Sequence, residues 1–259
     1  MTLRSLFASD RIPVGHLIFE FATPGVGYLA RNAGADYLIL DLEHSGFTFE
    51  TAKVVVLSAR AAGLPLVLRV ASHDAKELSR ACDIGADGIM VPLVHTVDQA
   101  RAIVAACKYA PEGARGVGQI LMHDSYRAGP LVDKARAANE ALVLILQIES
   151  REGAQVADAM AALDGVDCLW VGHFDLSCSL GSPGRFDTPE FEAAIDAVIA
   201  ATRKHHIRAG RLAHNADEGA KLVASGFDCL AVATDTQLYQ TALTQAIKAM
   251  RARIEEAKR

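Results

Sequence analysis

The chain has 259 residues, of which 51% are hydrophobic and 22% are charged. This is enough apolar material for a large core and too little charge for a disordered chain. The formal net charge of −5 shows no basic excess, which argues against a nucleic-acid partner. No apolar run approaches the roughly 20 residues that cross a bilayer, and no signal peptide is evident, so we expect a cytoplasmic protein without a membrane partner.

Short apolar runs alternate along the chain with longer, Ala-rich segments of helical spacing. Several runs are apolar on both faces, as in parallel strands that are covered on both sides. The predicted strands are residues 14–21, 37–43, 65–70, 88–92, 141–149, 167–172, 208–213 and 228–234. The clearest predicted helices are residues 49–62, 75–84, 97–109, 191–205 and 237–254.

A glycine followed two residues later by an aspartate precedes four of these strands, at residues 34–36, 85–87, 165–167 and 226–228. Glycine suits the left-handed position that ends a helix, and the aspartate can hold the next turn. The repeat suggests a recurring βα unit, and with eight alternating strands it predicts an α/β fold, a single-domain (β/α)8 TIM barrel over residues 1–259. A doubly wound sheet is the alternative, weakened because no G-x-G-x-x-G follows the first strand.

In such a barrel, catalytic side chains lie at the carboxyl ends of the strands. Glu149 and Asp175 follow neighbouring predicted strands, and two carboxylates so placed can share a hard divalent cation such as Mg²⁺ or Mn²⁺. Gln147 leaves its strand on the same face as Glu149. The structural alternatives are an ion pair between Glu149 and Arg151, and a helix N-cap role for Asp175.

Arg69 and His44 are the other candidates at this end. Arg69 ends an otherwise apolar strand, so its guanidinium needs an anionic partner. That partner is either a structural carboxylate, Asp41 or Glu43, or the carboxylate or developing oxyanion of a substrate, which we favour. A lone histidine is more often structural, but His44 at a barrel mouth is the leading general base, because an unperturbed pKa of roughly 6.5 allows proton exchange near neutrality.

Several absences narrow the chemistry. No lysine falls on a predicted strand, which argues against a Schiff-base aldolase. The five cysteines form no C-x-x-C, so we expect neither a disulfide framework nor a thiolate zinc site. The glycine-rich segment 113–118 is expected to form an ordered loop over the mouth of the site.

Taken together, these residues resemble the metal-dependent (class II) pyruvate aldolases typified by 4-hydroxy-2-oxoheptanedioate aldolase, which are related to the citrate lyase β-subunit. The resemblance covers nearly the whole chain. It is carried by residues 41–44 (DLEH), Arg69, residues 91–92 (VP), 115–118 (RGVG) and 147–149 (QIE), Gly172 with residues 175–177 (DLS), and residues 233–236 (ATDT).

The resemblance implies a metal and substrate site. Glu149 and Asp175 would hold a divalent ion, most simply Mg²⁺, Mn²⁺ or Co²⁺, that chelates pyruvate. Gln147 and the backbone at Phe174 and Asp175 would bind the substrate. The family commonly has Gly-Pro-small-Asp where this chain has Gly172-His173-Phe174-Asp175, which leaves the acceptor aldehyde open.

It further implies roles for three other side chains. Arg69 would stabilise the enolate, and His44 would transfer the proton. Asp83 of a neighbouring subunit would raise the basicity of His44. The resemblance also implies a homo-oligomer, a hexamer built as a trimer of dimers, in which the last helix is swapped between subunits.

We therefore predict a divalent-metal-dependent aldolase that reversibly cleaves a 4-hydroxy-2-oxo acid to pyruvate and an aldehyde through a metal-bound pyruvate enolate. The same site would also suit 2-oxo acid decarboxylation or citrate- and coenzyme A thioester-lyase chemistry, the last disfavoured because no basic patch is evident. An alternative of another class is a non-catalytic barrel that binds 2-oxo acids. Such a protein would need neither His44 nor Asp83.

Overall fold

Eight parallel strands close into a barrel in the order in which they occur along the chain, in a computed structural model that describes residues 1–259. The last strand pairs with the first and completes the ring. The predicted (β/α)8 fold is confirmed. The strands are β1 (Val14–Ile18), β2 (Tyr37–Asp41), β3 (Leu66–Arg69), β4 (Gly88–Val91), β5 (Val143–Ile148), β6 (Cys168–Val171), β7 (Arg208–Ala213) and β8 (Cys229–Thr234).

Helices follow the strands and surround the barrel. They are α1 (Leu3–Phe7), α2 (Val26–Asn32), α3 (Phe49–Ala61), α4 (Ala75–Asp83), α5 (Val97–Cys107), α6 (Leu131–Ala141), α7 (Arg151–Gln155), α8 (Ala157–Ala161), α9 (His173–Ser179), α10 (Pro189–His205), α11 (Ala216–Ser225) and α12 (Asp235–Ala257). Every predicted strand is found, most of them one to three residues shorter than predicted. Glu43, His44 and Glu149 therefore lie in the loops just beyond the barrel.

The core has two layers. Side chains that alternate inward from the strands fill the barrel interior, and Leu3, Leu6 and Phe7 of α1 pack on this cluster. A larger apolar layer lies between the outer face of the sheet and the helices. The barrel is thus a filled core rather than a pore, and reactants can approach only at its ends.

The four glycine–aspartate joints lie at the amino-terminal ends of the strands, where each aspartate connects two neighbouring strands by a hydrogen bond. Their glycines have positive φ: Gly34 at 92°, Gly85 at 84°, Gly165 at 93° and Gly226 at 108°. Each aspartate accepts the N–H of a residue at the start of the preceding strand: Asp36 from Val14, Asp87 from Leu66, Asp167 from Leu144 and Asp228 from Ala209, at 2.8–2.9 Å. The joints precede β2, β4, β6 and β8, so the recurring unit is two βα units rather than the single one expected from the sequence.

The long connection between α5 and α6 lies at this amino-terminal end. Arg60, in the last turn of α3, donates to the carbonyl of Met122 in that connection (2.9 Å) and to the carbonyl of Gly85 (3.1 Å). The expectation that residues 113–118 cover the site mouth is therefore wrong within one chain. Its physical reason is that α5 runs back from the carboxyl ends of the strands, so the connection begins at the opposite end of the barrel.

The final helix leaves the barrel after its first turn. Asp235 is buried, whereas an apolar stripe along α12 is exposed: Leu243, Ile247, Met250 and Ile254. Beside the start of α12, an open groove of about 400 Å³ has apolar walls from β1, α2 and β8. Although α12 has 23 residues, neither it nor any other helix is apolar enough over a sufficient length to cross a membrane.

Candidate active site

Arg69 is fixed by two carboxylates at the carboxyl ends of β2 and β3. Asp41 and Arg69 are partners in the strand register, and Nε of Arg69 donates to Oδ1 of Asp41 at 2.5 Å. Nη1 lies 3.2 Å from Oε2 of Glu43. Both predicted structural partners are therefore present, and the Phe19 ring lies 5.6 Å from the guanidinium carbon. Nη2 of Arg69 makes no hydrogen bond within the chain, so the residue can still contact a ligand.

Asp41 also shapes the loop that carries His44. It is fully buried and accepts the backbone N–H groups of Glu43 (3.1 Å) and His44 (2.8 Å). The His44 side chain is 58% exposed, and its Nε2 lies 3.7 Å from Oε2 of Glu43. The backbone of His44 is thus fixed beside Asp41 and Glu43, whereas its imidazole ring is accessible to a substrate or to water.

Glu149 is held by hydrogen bonds to both carboxylate oxygens. The backbone N–H of Leu93 donates to Oε1 and Nε2 of Gln147 donates to Oε2, each at 2.6 Å. Leu93 has a φ of 53°, an uncommon conformation for a non-glycine residue that turns its N–H toward the carboxylate. Arg151 makes no ion pair with Glu149, so that structural alternative is wrong.

Gly172 leaves the space that Glu149 occupies. A Cβ at this position would lie 2.1 Å from Oε2 of Glu149, so any other residue would displace the carboxylate. Gly172 also precedes α9, whose third residue is Asp175. Asp175 makes no capping hydrogen bond, so its predicted alternative role as an N-cap is wrong too.

The carboxylates at this end perturb one another. Burial raises the pKa of Glu149 to about 7, against the hydrogen bonds from Leu93 and Gln147, and Glu43 and Asp175 raise it further. Burial likewise raises the pKa of Glu43 to about 7, although Arg69 lowers it, and Asp41 and Asp175 add to the rise. The site therefore concentrates more negative charge than Arg69 compensates.

The donor set fits a hard divalent cation. Besides the pair Glu149 and Asp175, two buried oxygens have no hydrogen-bond partner: Oε1 of Gln147, and Oε2 of Glu43, which is within ion-pair distance of Arg69 and His44. Carboxylate and amide oxygens are the ligands that Mg²⁺ and Mn²⁺ prefer. No three His, Cys, Asp or Glu side chains converge on one point, so a cation here would keep positions for water or substrate oxygens.

Asp83 lies far from the other predicted residues in this chain. It ends α4, at the amino-terminal end of the barrel, whereas His44 lies at the carboxyl end. Arg115 donates to its Oδ1 at 2.6 Å, and Nδ1 of His123 is 3.9 Å from the same oxygen. A role for Asp83 at His44 would therefore require a second copy of the chain.

The two residues that replace the usual Pro-small pair lie between β6 and β7. Phe174 is 52% exposed beside Asp175, whereas His173 is buried with its ring 4.3 Å from that of Phe174. Burial lowers the pKa of His173 to about 3, with Arg211 and His214 acting in the same direction. This imidazole is therefore neutral at physiological pH.

Three residues that position the site are not identified as functional by the sequence. Asp235 accepts the N–H groups of Phe19, Glu20 and Phe21 at 3.0, 2.9 and 2.7 Å and so holds the loop that places Phe19 by Arg69. Asp235 and Gly172 belong to motifs that are visible in the sequence, so a signal exists for both. Nothing in the sequence indicates the backbone conformation of the third, Leu93.

Comparison with known proteins then identifies the family. The model of the HpcH/HpaI aldolase/citrate lyase family matches residues 24–242. The chain belongs to this family. The predicted relationship to the class II aldolase superfamily is thereby confirmed.

Two relatives of this HpcH/HpaI family member are named as aldolases. The chain is 36% identical over 227 residues to a hydroxypyruvate/pyruvate aldolase of Chromohalobacter salexigens, covering 88% of this chain and 89% of the relative. It is 34% identical over 215 residues to a 2-keto-3-deoxy-L-rhamnonate aldolase of Salmonella dublin, covering 83% and 80%. The crystal structure of an HpcH/HpaI aldolase from Desulfitobacterium hafniense DCB-2 matches with a TM-score of 0.91 and 27% identity over 97% of both chains. These matches support an aldolase activity in general, and aldolases are lyases.

Proposed function

We propose that this protein is a divalent-metal-dependent aldolase that reversibly cleaves a 4-hydroxy-2-oxo acid to pyruvate and an aldehyde. The observation that carries the proposal is that Glu43 and Asp175 raise the pKa of the buried Glu149, beside a fixed Arg69 and an unpartnered Oε1 of Gln147, in a chain of an aldolase family. The names of the two relatives, a hydroxypyruvate/pyruvate aldolase and a 2-keto-3-deoxy sugar acid aldolase, support this class of substrate.

Glu149 and Asp175 would hold the cation, and Mg²⁺, Mn²⁺ or Co²⁺ would suit these oxygen donors. When bound, the cation supplies Lewis-acid polarisation of the 2-keto oxygen. Gln147 keeps Glu149 in place through its Nε2 and leaves its Oε1 free for the substrate or its water. Phe174 and Asp175 lie in the first turn of α9, so their backbone N–H groups are free to donate to a substrate carboxylate.

His44 would take the proton of the 4-hydroxyl group, directly or through water. The O–H electron pair then forms the aldehyde C=O bond, the C3–C4 bond breaks, and its electron pair passes into the enolate of pyruvate. Arg69, held by Asp41 and Glu43, stabilises the oxyanion of that enolate without having to reorganise. The proton returned to C3 completes pyruvate, and the reverse sequence is an aldol addition.

The first test is exchange of the pyruvate methyl protons in D₂O, followed by NMR, because enolate formation does not require the aldehyde. We expect exchange with added Mg²⁺, Mn²⁺ or Co²⁺ and loss of exchange in EDTA, the Mn²⁺ samples being read after the ion is removed. Exchange that survives EDTA would point to a Schiff base and contradict the proposed role of Glu149 and Asp175. Absence of exchange with every ion would favour a binding protein or a substrate other than pyruvate.

We also propose that the active unit is a homo-oligomer in which α12 packs on a second copy. The stripe Leu243, Ile247, Met250 and Ile254 is exposed in one chain, and an open apolar groove lies between β1, α2 and β8. Packing α12 of one copy into the groove of another would bury both of these apolar surfaces. It would also allow a hexamer built as a trimer of dimers to bring Asp83 of one copy to His44 of another.

Light scattering on the purified chain tests this arrangement. We expect a mass several times that of one chain, and a shift to smaller species for Ile247→Asp. Gln245→Asp is the matched control, because it adds the same charge about 160° away around α12. A monomer with full exchange activity would contradict both the swap and the role of Asp83.

A further inference from the structure

Arg211 is a buried cation without a partner. It lies on β7 between Gly210 and Leu212, and because Leu212 packs on the barrel interior, Arg211 points outward between the sheet and the helices. It is 7% exposed, makes no hydrogen bond or ion pair, and its Nε is buried without an acceptor. A buried charge left unpaired in this way is costly.

Aromatic rings surround this guanidinium but do not satisfy its donors. Its central carbon lies 5.8 Å from the ring of Phe186, 5.6 Å from Phe191 and 5.9 Å from Phe227. The acidic residue that acts on it is Glu218, but Oε2 of Glu218 accepts the N–H of His214 at 2.8 Å and forms no ion pair with Arg211. Burial accordingly lowers the pKa of Arg211.

A second unpartnered group lies in the same cluster. His173 is 4% exposed, and its Nε2 is buried without a partner. The His173 ring lies 5.2 Å from the Phe186 ring and 5.6 Å from the His214 ring. Two buried polar groups with unmet hydrogen-bonding capacity thus share one aromatic neighbour, Phe186.

The cluster borders the candidate active site. Phe174 separates His173 from the exposed mouth, and its ring lies 5.5 Å from that of Phe186. His214 closes the other side, where its Nδ1 is 3.2 Å from Oε1 of Gln237 at the start of α12.

We propose that Arg211 and His173 form a subsite for the anionic oxyacid group, a carboxylate or a phosphate, of the aldehyde acceptor. The proposal rests on the aldolase function proposed above and adds the class of acceptor. The guanidinium fork would donate to the anion through its terminal nitrogens, and His173 would donate through the N–H at Nε2. Phe174 would pack against the carbon chain that joins this group to the reacting aldehyde.

The test compares matched acceptors that differ only in the anionic group. Succinic semialdehyde is paired with butanal, and glyceraldehyde 3-phosphate with glyceraldehyde, in aldol addition to pyruvate. In wild type we expect a kcat/KM ratio of anionic over neutral acceptor well above one, for at least one pair. Arg211→Met should lower that ratio about 10- to 100-fold, mainly through KM, because a charge-assisted hydrogen bond is lost. The pair whose ratio falls identifies carboxylate or phosphate as the group bound.

Arg185→Met is the matched control. Arg185 lies beside Phe186 in the same loop, and its side chain is 69% exposed, so this variant removes the same charge without touching the cluster. We expect its ratio to stay within twofold of wild type. An Arg211→Met ratio that does not fall, or that falls no further than in Arg185→Met, would overturn the proposal.

A second measurement does not depend on catalysis. Inorganic phosphate, added at constant ionic strength, should raise the Tm of wild type and of Arg185→Met but not of Arg211→Met. Arg211→Met should fold, because replacing a buried unpaired charge with an apolar residue is often neutral or stabilising. Should it not, Arg211→Lys keeps the charge and loses the fork, and a ratio equal to wild type would contradict the subsite. If wild type shows neither exchange nor aldol addition, the proposed function fails, while the phosphate shift still decides the anion site.

Discussion

The two ends of the barrel use the same kind of side chain in opposite ways. At the amino-terminal end, Asp36, Asp167 and Asp228 each accept a backbone N–H and pair with an arginine. At the carboxyl end, Glu43 and Glu149 have pKa values raised to about 7. The carboxylates of Asp36, Asp167 and Asp228 are satisfied by the fold. At the carboxyl end, Glu43 raises the pKa of Glu149, and Oε2 of Glu43 and Oε1 of Gln147 have no hydrogen-bond partner. The first arrangement stabilises the barrel, and the second keeps binding capacity for a ligand.

The sharpest way to break this comparison is to neutralise a carboxylate at the crowded end. Glu149→Gln should lower metal-dependent exchange of the pyruvate methyl protons by about 10³-fold, because several kcal/mol of charge stabilisation depend on the cation. Its free energy of unfolding, measured without metal, should be unchanged or higher, since a repelled, buried charge is removed. The control is Glu152→Gln on the exposed face of α7. Normal exchange in Glu149→Gln would remove Glu149 from the site.

Replacing Arg69 should lower both turnover and stability, because this residue contributes to the active site and to the fold. Arg69→Ala should lower turnover about 10²- to 10³-fold, the usual cost of removing one electrostatic stabiliser. It should also destabilise the chain by about 3–5 kcal/mol, because Asp41 would remain buried without its partner. Turnover is therefore measured well below the Tm found by circular dichroism. A variant that is destabilised but turns over normally would assign Arg69 to structure alone.

At the amino-terminal end, the expectation reverses. Asp167→Ala should lower the free energy of unfolding by about 2 kcal/mol, because the N–H of Leu144 and the guanidinium of Arg4 would lose their acceptor. Turnover below the Tm should match wild type. The control, Asp164→Ala, changes an exposed carboxylate just before the same joint. A loss of turnover without a loss of stability would mean that the two ends are not separable as described.

Much of the barrel can be predicted because its signals are local. Apolar runs, the four glycine–aspartate joints and the strand-end polar residues follow from backbone conformation and burial. These patterns alone place residues 147–149 at the end of one strand, and Gly172 and Asp175 at the end of the neighbouring strand. These patterns make most predicted strands too long, because polar residues that follow a strand continue its extended pattern without pairing with a neighbouring strand. The metal pair and the role of Asp83 stay predictions that the experiments above address, and the role of His44 as the base also stays a prediction.

What cannot be predicted depends on contacts between distant segments. Arg211 looks like an ordinary strand residue, since only the packed structure shows that three phenylalanines and no carboxylate surround it. The backbone N–H of Leu93 holds Glu149, and the residue type at this position does not indicate the positive φ that directs the N–H there.

The smallest expected effect tests the joints themselves. Gly34 has a φ of 92°, and a Cβ there would meet no atom within 4 Å, so Gly34→Ala isolates the conformational cost. We expect a loss of about 1 kcal/mol in the free energy of unfolding, with no change in turnover. Gly25→Ala is the matched control, because Gly25 has equal space around it and a φ of −94°. Gly25→Ala should be neutral or slightly stabilising, since alanine reduces the freedom of the unfolded chain. Equal effects of the two variants, measured by urea unfolding, would show that the left-handed turn is not what the repeated glycine contributes to the amino-terminal end.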